Sequence, residues 1–352
     1  MISFLTDITV DGVALWVVLL ICVGVFLGAF MDAIAGGGGI ITVPAYLMGL
    51  SNLPIYNALG TNKLSSGIGT IFSTARFIHQ GLVDWKLFAP AVILSLTGSV
   101  CGTWLQHHTP AVVLKYLLLL VLPVVAFFTL RTKMWPEEPA PIPPRRQAAI
   151  VWAAALLIGT YDGYYGPGTG TFLMLVFIHL GKMDTRHAAG GVKVINLASN
   201  IGGVCSALMA GTVVLGVGLA AALASILGHY LGAGLAIRNG SKIVRPAVVV
   251  VLLLLLVNVF VHLRLNHDPQ RQNASAVLAQ AGRWIAPLAS VVTEAVLLIH
   301  ALRGPVNFHL YFSLLAGVLV TVAGNYLPKC RQNRTVGIKL PWTLRSEANW
   351  NK

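Results

Sequence analysis

Charge is what this chain has least of. Only 10% of its 352 residues are Asp, Glu, Lys or Arg, and 11 are acidic, against 56% hydrophobic. A soluble domain of this size needs a far more polar exterior, so that class is excluded. The apolar runs are long enough for spans of about 20 residues, and the chain reads as a polytopic integral membrane protein. The four cysteines, Cys22, Cys101, Cys205 and Cys330, lie far apart with no CxxC pair, which points to neither a disulfide framework nor a zinc site. There is no HExxH motif and no nucleophile and base pair, so an intramembrane enzyme has no support and neither metal nor cofactor is expected. The N-terminus lacks a basic n-region and carries Asp7 and Asp11 instead. Its first apolar run therefore reads as a retained membrane segment, not a cleaved signal. The formal net charge is +13, yet the basic residues fall in connecting loops and at the C-terminal end, without interleaved aromatics. They read as cytoplasmic anchors beside membrane lipid, not as a nucleic-acid surface.

Glycine, by contrast, is plentiful and clustered. Met31 to Pro44 reads MDAIAGGGGIITVP, with Asp32 followed by Gly36, Gly37, Gly38 and Gly39 inside apolar sequence. Each glycine weakens a helix by roughly 1 kcal/mol against alanine, and unwound backbone at membrane depth survives only where protein or a wet cavity surrounds it. A second copy follows. Gly159 to Thr171 reads GTYDGYYGPGTGT, with Asp162, then Gly166, Pro167, Gly168 and Gly170. Lys63 lies 24 residues after Gly39 and Gly81 lies 18 further on; Lys193 lies 23 after Gly170 and Gly211 again 18 further on. Asp32 and Asp162 are 130 apart. One glycine cluster alone is equally a close helix contact. A duplicated acid, glycine run, lysine and glycine in fixed order argues for a site.

As one helix, Val13 to Leu50 would be roughly 57 Å long against a hydrocarbon core of about 30 Å. Two passes, or a re-entrant hairpin with the glycines at its turn, resolve the excess. Further segments are expected at Gly60 to Gln80, Leu87 to Leu105 and Val112 to Leu130. The proline-rich stretch Arg131 to Arg146 is a linker, cytoplasmic by its basic residues. Ala148 to Leu180, Ala188 to Ala210, Val213 to Ile237 and Ile243 to His262 repeat the order. With the linker inside, Lys182 and Arg186 return inside, the uncharged Gly211 to Gly216 loop lies outside, and Arg238 to Arg245 come back inside. The second half is then an upside-down copy of the first. The expected fold is an all-α polytopic membrane protein of two inverted repeats with glycine-broken re-entrant helices, the plan of a secondary transporter. Its parts are repeat 1 (1–130), linker (131–147), repeat 2 (148–262), connector (263–283) and a C-terminal helical segment (284–352). That segment holds two more helices, Trp284 to Leu302 and Phe308 to Leu327. They strain the topology, since they leave the basic run Lys329 to Arg345 outside.

The first half carries the glycine run before Val43 and Pro44 and the GTNK of Gly60 to Lys63, the second the GYYGPGTG of Gly163 to Gly170 with Lys193 and Asn196 after it, and the halves match in order. On these residues the chain, from about Val13 to His262, resembles the TauE/SafE family of sulfite and organosulfonate exporters. The resemblance implies an integral carrier of the bacterial inner (plasma) membrane, moving a small sulfur oxyanion or sulfonate such as sulfite, thiosulfate or an organosulfonate. Which anion, the direction, the coupling ion and the oligomeric state are left open. Asn307 to Trp350, above all GNYLPKCRQNRTVGIKLPWTL at Gly324 to Leu344, is similar to the C-terminal signature of the SdpI family of toxin-immunity membrane proteins. The match lacks that family's earlier helices and implies further sequence beyond Lys352. It offers the alternative of an immunity or signalling protein with the repeat as its scaffold.

If the cargo is an anion, positive potential is needed without a trap too deep to leave. Lys63 and Lys193, at matched positions, are expected to supply it, the competing reading being lysines that snorkel to an interface. Arg76 has no counterpart. Gly36 to Gly39, with Gly168 and Gly170, suit the approach of backbone N–H groups to an oxyanion, or else dense packing. Thr61, Asn62, Thr169, Asn196 and Asn200 can add hydrogen bonds or merely join helices. Asp32 and Asp162 repel an anion. Either they carry coupling protons, as a carboxylate removed from water can, or they form salt bridges to the lysines. His79, His179 and His229 form no spaced ligand set and read as satisfied core or interfacial histidines. Glu294 is an acid in an apolar run with no role assigned.

Overall fold

The computed structural model describes residues 8–108, 138–244 and 247–248. All of them belong to the first of two compact units, Met1–Leu253. The expected helices at Val112 to Leu130, Trp284 to Leu302 and Phe308 to Leu327, nearly all of Ile243 to His262, and the SdpI-like segment lie outside the described residues.

Among the described residues the secondary structure is helical apart from one ribbon, β1 (Thr9–Val10) paired antiparallel with β2 (Val13–Ala14). The all-α expectation missed it, although Asp11-Gly12 is a hairpin signal in sequence; both residues have positive φ, 51° and 77°, as that tight turn requires. Then come α1 (Leu15–Ala35), α2 (Gly39–Gly49), α3 (Ile55–His79) and α4 (Trp85–His108). After residue 138 the order recurs as α5 (Pro144–Tyr164), α6 (Thr169–Leu175, continued by one π turn, Val176–Leu180), α7 (Thr185–Met209) and α8 (Leu215–Asn239). Helix α5 begins inside the expected linker, because Pro144 suits the first helical position.

The glycine runs end helices. Gly36 adopts the left-handed conformation at the end of α1 and donates to the Asp32 carbonyl at 2.8 Å, a C-cap that glycine makes without a Cβ penalty. Helix α1, about 31 Å long, matches a hydrocarbon core, whereas α2 at about 16 Å does not. It packs back along α1. At Gly28 a Cβ would run into Thr42 and the Gly38 carbonyl. Small residues are what allow the two helices so close.

Packing exchanges the halves. Helix α4 lies against α5 and α8 against α1, while α3 and α7 pack on each other and on the last helix of the opposite half. The contacts correspond at the same 130-residue offset. Gly98 and Gly102 of α4 press on the backbone of Leu156 and Thr160, and Gly228 and Gly232 of α8 press on Phe26 and Phe30. Outward faces are apolar: Leu219, Leu223 and Leu227 of α8 are all exposed, as are Ile93 and Trp104 of α4. Inward faces are polar, with Thr61, Ser65, Thr70 and Ser73 of α3 buried, and Lys193, Ser199 and Asn200 of α7. This is the arrangement of a protein whose solvent is lipid. Four of the described helices, Leu15–Ala35, Trp85–Gln106, Thr185–Met209 and Leu215–Asn239, are long and apolar enough to cross a membrane.

Candidate functional site

The turn after α1 and the turn before α6 meet at their tips. Thr171 donates its N–H to the Gly36 carbonyl at 2.6 Å and its hydroxyl to the Ala35 carbonyl at 3.0 Å. A Cβ on Gly36 would enter the backbone of Gly170, and the reverse holds; one on Gly39 would lie 3.1 Å from Pro167 Cα. The glycines therefore do bring backbone against backbone, but the backbone is the other half's.

Beside this contact lies a cavity. From the first half Asp32, Gly36, Gly38, Gly39, Asn62 and Lys63 line it; from the second, Asp162, Gly168, Thr169, Gly170, Asn196 and Asn200 do. Twelve residues singled out from sequence thus converge. Three do not line it. Gly37 lies within the turn, and Thr61 is committed elsewhere: its hydroxyl donates to the Asn57 carbonyl at 2.6 Å and accepts from Val214 N–H at 3.0 Å, which ties α3 to the start of α8. Lys193 sits behind Asp32.

The charges are paired across the repeat. Lys63 Nζ lies 2.6 Å from Asp162 Oδ2, and Lys193 Nζ lies 2.9 Å from Asp32 Oδ2 while also donating to the Asp32 carbonyl. Each lysine therefore takes the aspartate of the opposite half. The Lys193 side chain is 1% exposed and that of Lys63 13%, so neither snorkels. Of the alternatives for the aspartates, the salt bridge is what the geometry contains. Asp162 Oδ1 also accepts from the Thr169 hydroxyl at 2.9 Å, and Asp32 Oδ1 from Gly38 N–H at 3.4 Å. That glycine N–H, expected to face a ligand, is already turned to a carboxylate. Asn200 reaches across as well, accepting from Lys63 at 3.4 Å and donating to the Thr70 hydroxyl at 3.4 Å.

Not every polar group is satisfied within the protein. Among the described residues Thr42 Oγ1, Asn62 Oδ1 and Asn196 Oδ1 are buried without a partner, and all three residues line the cavity. A buried group left unpaired costs about 1–3 kcal/mol, and three of them around one cavity make it a candidate polar site. A second cavity shares Asn62, Lys63 and Asp162 with the first and extends to Tyr56, Gln106 and Thr212. Among the described residues no three His, Cys, Asp or Glu side chains converge as a metal ion would require.

His229 reads from the sequence as a satisfied core or interfacial histidine. It is buried on the cavity wall, with Nε2 3.3 Å from Asp32 Oδ2. The matched position in the first half is Ser99. Carrying the 130-residue offset through α4 and α8, beyond the glycine and lysine motifs, exposes that mismatch.

A family profile described as "Sulfite exporter TauE/SafE" matches residues 20–259. A "Probable membrane transporter protein ORF9" from a Sinorhizobium species is 36% identical over 250 residues, covering 70% of this chain and 91% of its own length. A probable membrane transporter protein of Haemophilus influenzae is 35% identical over 249 residues, 69% of this chain and 92% of its own. The Escherichia coli protein YfcA, likewise a probable membrane transporter, is 34% identical over 228 residues, 64% and 82% respectively. No solved structure matches significantly.

Proposed function

Because the chain belongs to the sulfite exporter TauE/SafE family of membrane transporters, we propose that it carries small sulfur-containing anions outward by alternating access between two inverted repeats. Sulfite, thiosulfate and organosulfonates are the candidate cargo, and the inner membrane of a bacterium the setting. The observation that carries this reading is the reciprocal pairing of Lys63 with Asp162 and Lys193 with Asp32 around one cavity. In the reading, α1 with α2 and α5 with α6 are re-entrant hairpins that meet tip to tip, one from each side of the membrane.

The chemistry follows from the pairing. A lysine held by a carboxylate attracts an anion without forming a trap, since the anion must compete with the resident acid. The Thr42 hydroxyl can donate to a sulfur oxyanion, whereas Asn62 Oδ1 and Asn196 Oδ1 only accept and meet the anion through a bridging water. Gly168, Thr169, Gly170 and Asn200 complete the wall, with Gly36, Gly38 and Gly39 facing them. The Lys63–Asp162 pair stands in the walls of both cavities, so opening it would join them. That makes it the gate of this scheme. Asp32 and Asp162 are the candidate proton carriers, because a proton on either carboxylate frees its lysine for the anion.

The test is flux of labelled sulfite, thiosulfate and a small sulfonate in proteoliposomes, with and without a pH gradient, for the wild type, Lys63→Ala and Lys193→Ala. At least tenfold loss in both variants is expected. Folded wild-type protein that moves none of the three anions would end the assignment of cargo.

A further inference from the structure

Two lysines and two aspartates cancel, so the cavity as paired offers an incoming anion no net positive charge. One titratable side chain remains on its wall. His229 projects from α8, 1% exposed. Helix α1 presents Asp32 to it, and Lys193 of α7 shares the same Asp32 Oδ2. From α3 it meets the Thr70 hydroxyl; the charged Arg76 of that helix is held on Tyr230 instead, 4.3 Å over its ring and donating to its carbonyl at 2.7 Å. Lys63 and Asp162 stand elsewhere on the same cavity wall.

The partners of the ring decide its hydrogens. Nδ1 lies 3.1 Å from the Ser225 carbonyl, which only accepts, with the Ser225 hydroxyl further off at 3.3 Å. Nε2 lies 3.3 Å from Asp32 Oδ2 and 3.3 Å from Thr70 Oγ1. The single Thr70 hydrogen is already given to the Ser66 carbonyl at 2.7 Å, so at Nε2 that oxygen too is an acceptor. Nε2 faces only acceptors, while Nδ1 faces the Ser225 carbonyl and a hydroxyl that gives or accepts; the neutral ring with its hydrogen on Nδ1 therefore leaves Nε2 against acceptors, and a proton there completes both contacts. The other half has no such group: the matched Ser99 donates its hydroxyl to the Ser199 carbonyl at 2.6 Å.

Resting on the anion-carrier reading, we propose that His229 is the proton-coupling residue: a proton taken up at its Nε2 turns a net-neutral cavity cationic, bonds Asp32 and frees Lys193, so that anion and proton bind together, from one half only. The role is to position and compensate charge.

The experiment is calorimetric titration of thiosulfate into the purified full-length protein at several values from pH 8 to pH 5, in pairs of buffers with different ionisation enthalpies. Thiosulfate keeps its charge over this range, which sulfite does not. The wild type should take up close to one proton per anion at the alkaline end. Its affinity should rise by up to about tenfold per pH unit on acidification and then flatten, as a single linked proton requires. His229→Gln should bind with no proton uptake and no pH dependence. Asp32→Asn, which keeps the histidine, should retain proton uptake. Binding by the wild type without proton uptake overturns the coupling and leaves the carrier reading standing. Uptake that survives in His229→Gln and vanishes in Asp32→Asn transfers the role to the carboxylate and equally overturns it. No binding of thiosulfate, sulfite or a sulfonate at any pH sinks the carrier reading and this inference with it.

Discussion

The two halves of the molecule place the same residues in the same places and surround them differently. Lys193 is sealed from solvent, gives Asp32 two contacts, and shares that acid with His229. Lys63 is partly exposed, meets Asp162 through one carboxylate oxygen, and has a second cavity behind it. Duplication supplies the geometry of a paired site, and in the proposed scheme substitutions at matched positions make one pair an anchor and the other a gate.

The sharpest way to break that contrast is to remove each lysine in turn and measure stability as well as flux. Lys193→Ala leaves the Asp32 carboxylate with only His229 and one long backbone contact, and stripping one partner from a buried pair costs about 3–5 kcal/mol. Lys63→Ala should cost less, because Lys63 is the more exposed of the two lysines and Asp162 keeps the Thr169 hydroxyl. Thermal unfolding in detergent should therefore rank Lys193→Ala well below Lys63→Ala. The double variant Asp32→Asn, Lys193→Met should recover much of the loss, since a buried pair replaced as a unit is often near neutral. Equal destabilisation by the two single variants would show that the halves do not differ as described.

A smaller effect is expected where the hairpin tips touch. Gly36→Ala and Gly170→Ala each drive a methyl into the other turn's backbone, an overpacking worth about 1–3 kcal/mol. Gly36 also has φ of 73°, which adds roughly 1–2 kcal/mol for a residue with a side chain. Gly36→Ala should thus melt lower than Gly170→Ala. The reverse order would mean that the first turn yields more readily than the second.

Much of this was legible in the sequence, for a definite reason. Interrupting apolar spans with acids and glycines is so costly that Asp32, Asp162 and the glycine runs announced a site, and their spacing announced the repeat. Chain-local patterns say nothing about partners, however. That Lys63 would meet Asp162 and not Asp32 depends on α4 packing against α5 and α8 against α1, an exchange between halves that no local pattern encodes. Thr61 was drawn in by standing beside Asn62 and Lys63, but adjacent residues on a helix point about 100° apart. His229 was read as a core or interfacial histidine for the converse reason: it sits alone in an apolar helix, and only its fold neighbours set it beside Asp32.

The smallest effect tests how far the likeness of the halves extends. Gly81 and Gly211 close the turns after α3 and α7 with φ of 68° and 64°, and nothing lies within 4 Å of where a Cβ would stand at either. With no neighbour to strike, the cost of Gly81→Ala or Gly211→Ala is conformational alone, about 1–2 kcal/mol. It should be the same for both within the error of a melting curve. Asparagine, which tolerates the left-handed region better, should cost less than alanine at each. Equal losses here, beside unequal losses at Lys63 and Lys193, would confine the asymmetry to the charged site. Unequal losses at the glycines would mean that the turns themselves have diverged, and the anchor and gate would then be features of whole halves, not of four side chains and a histidine.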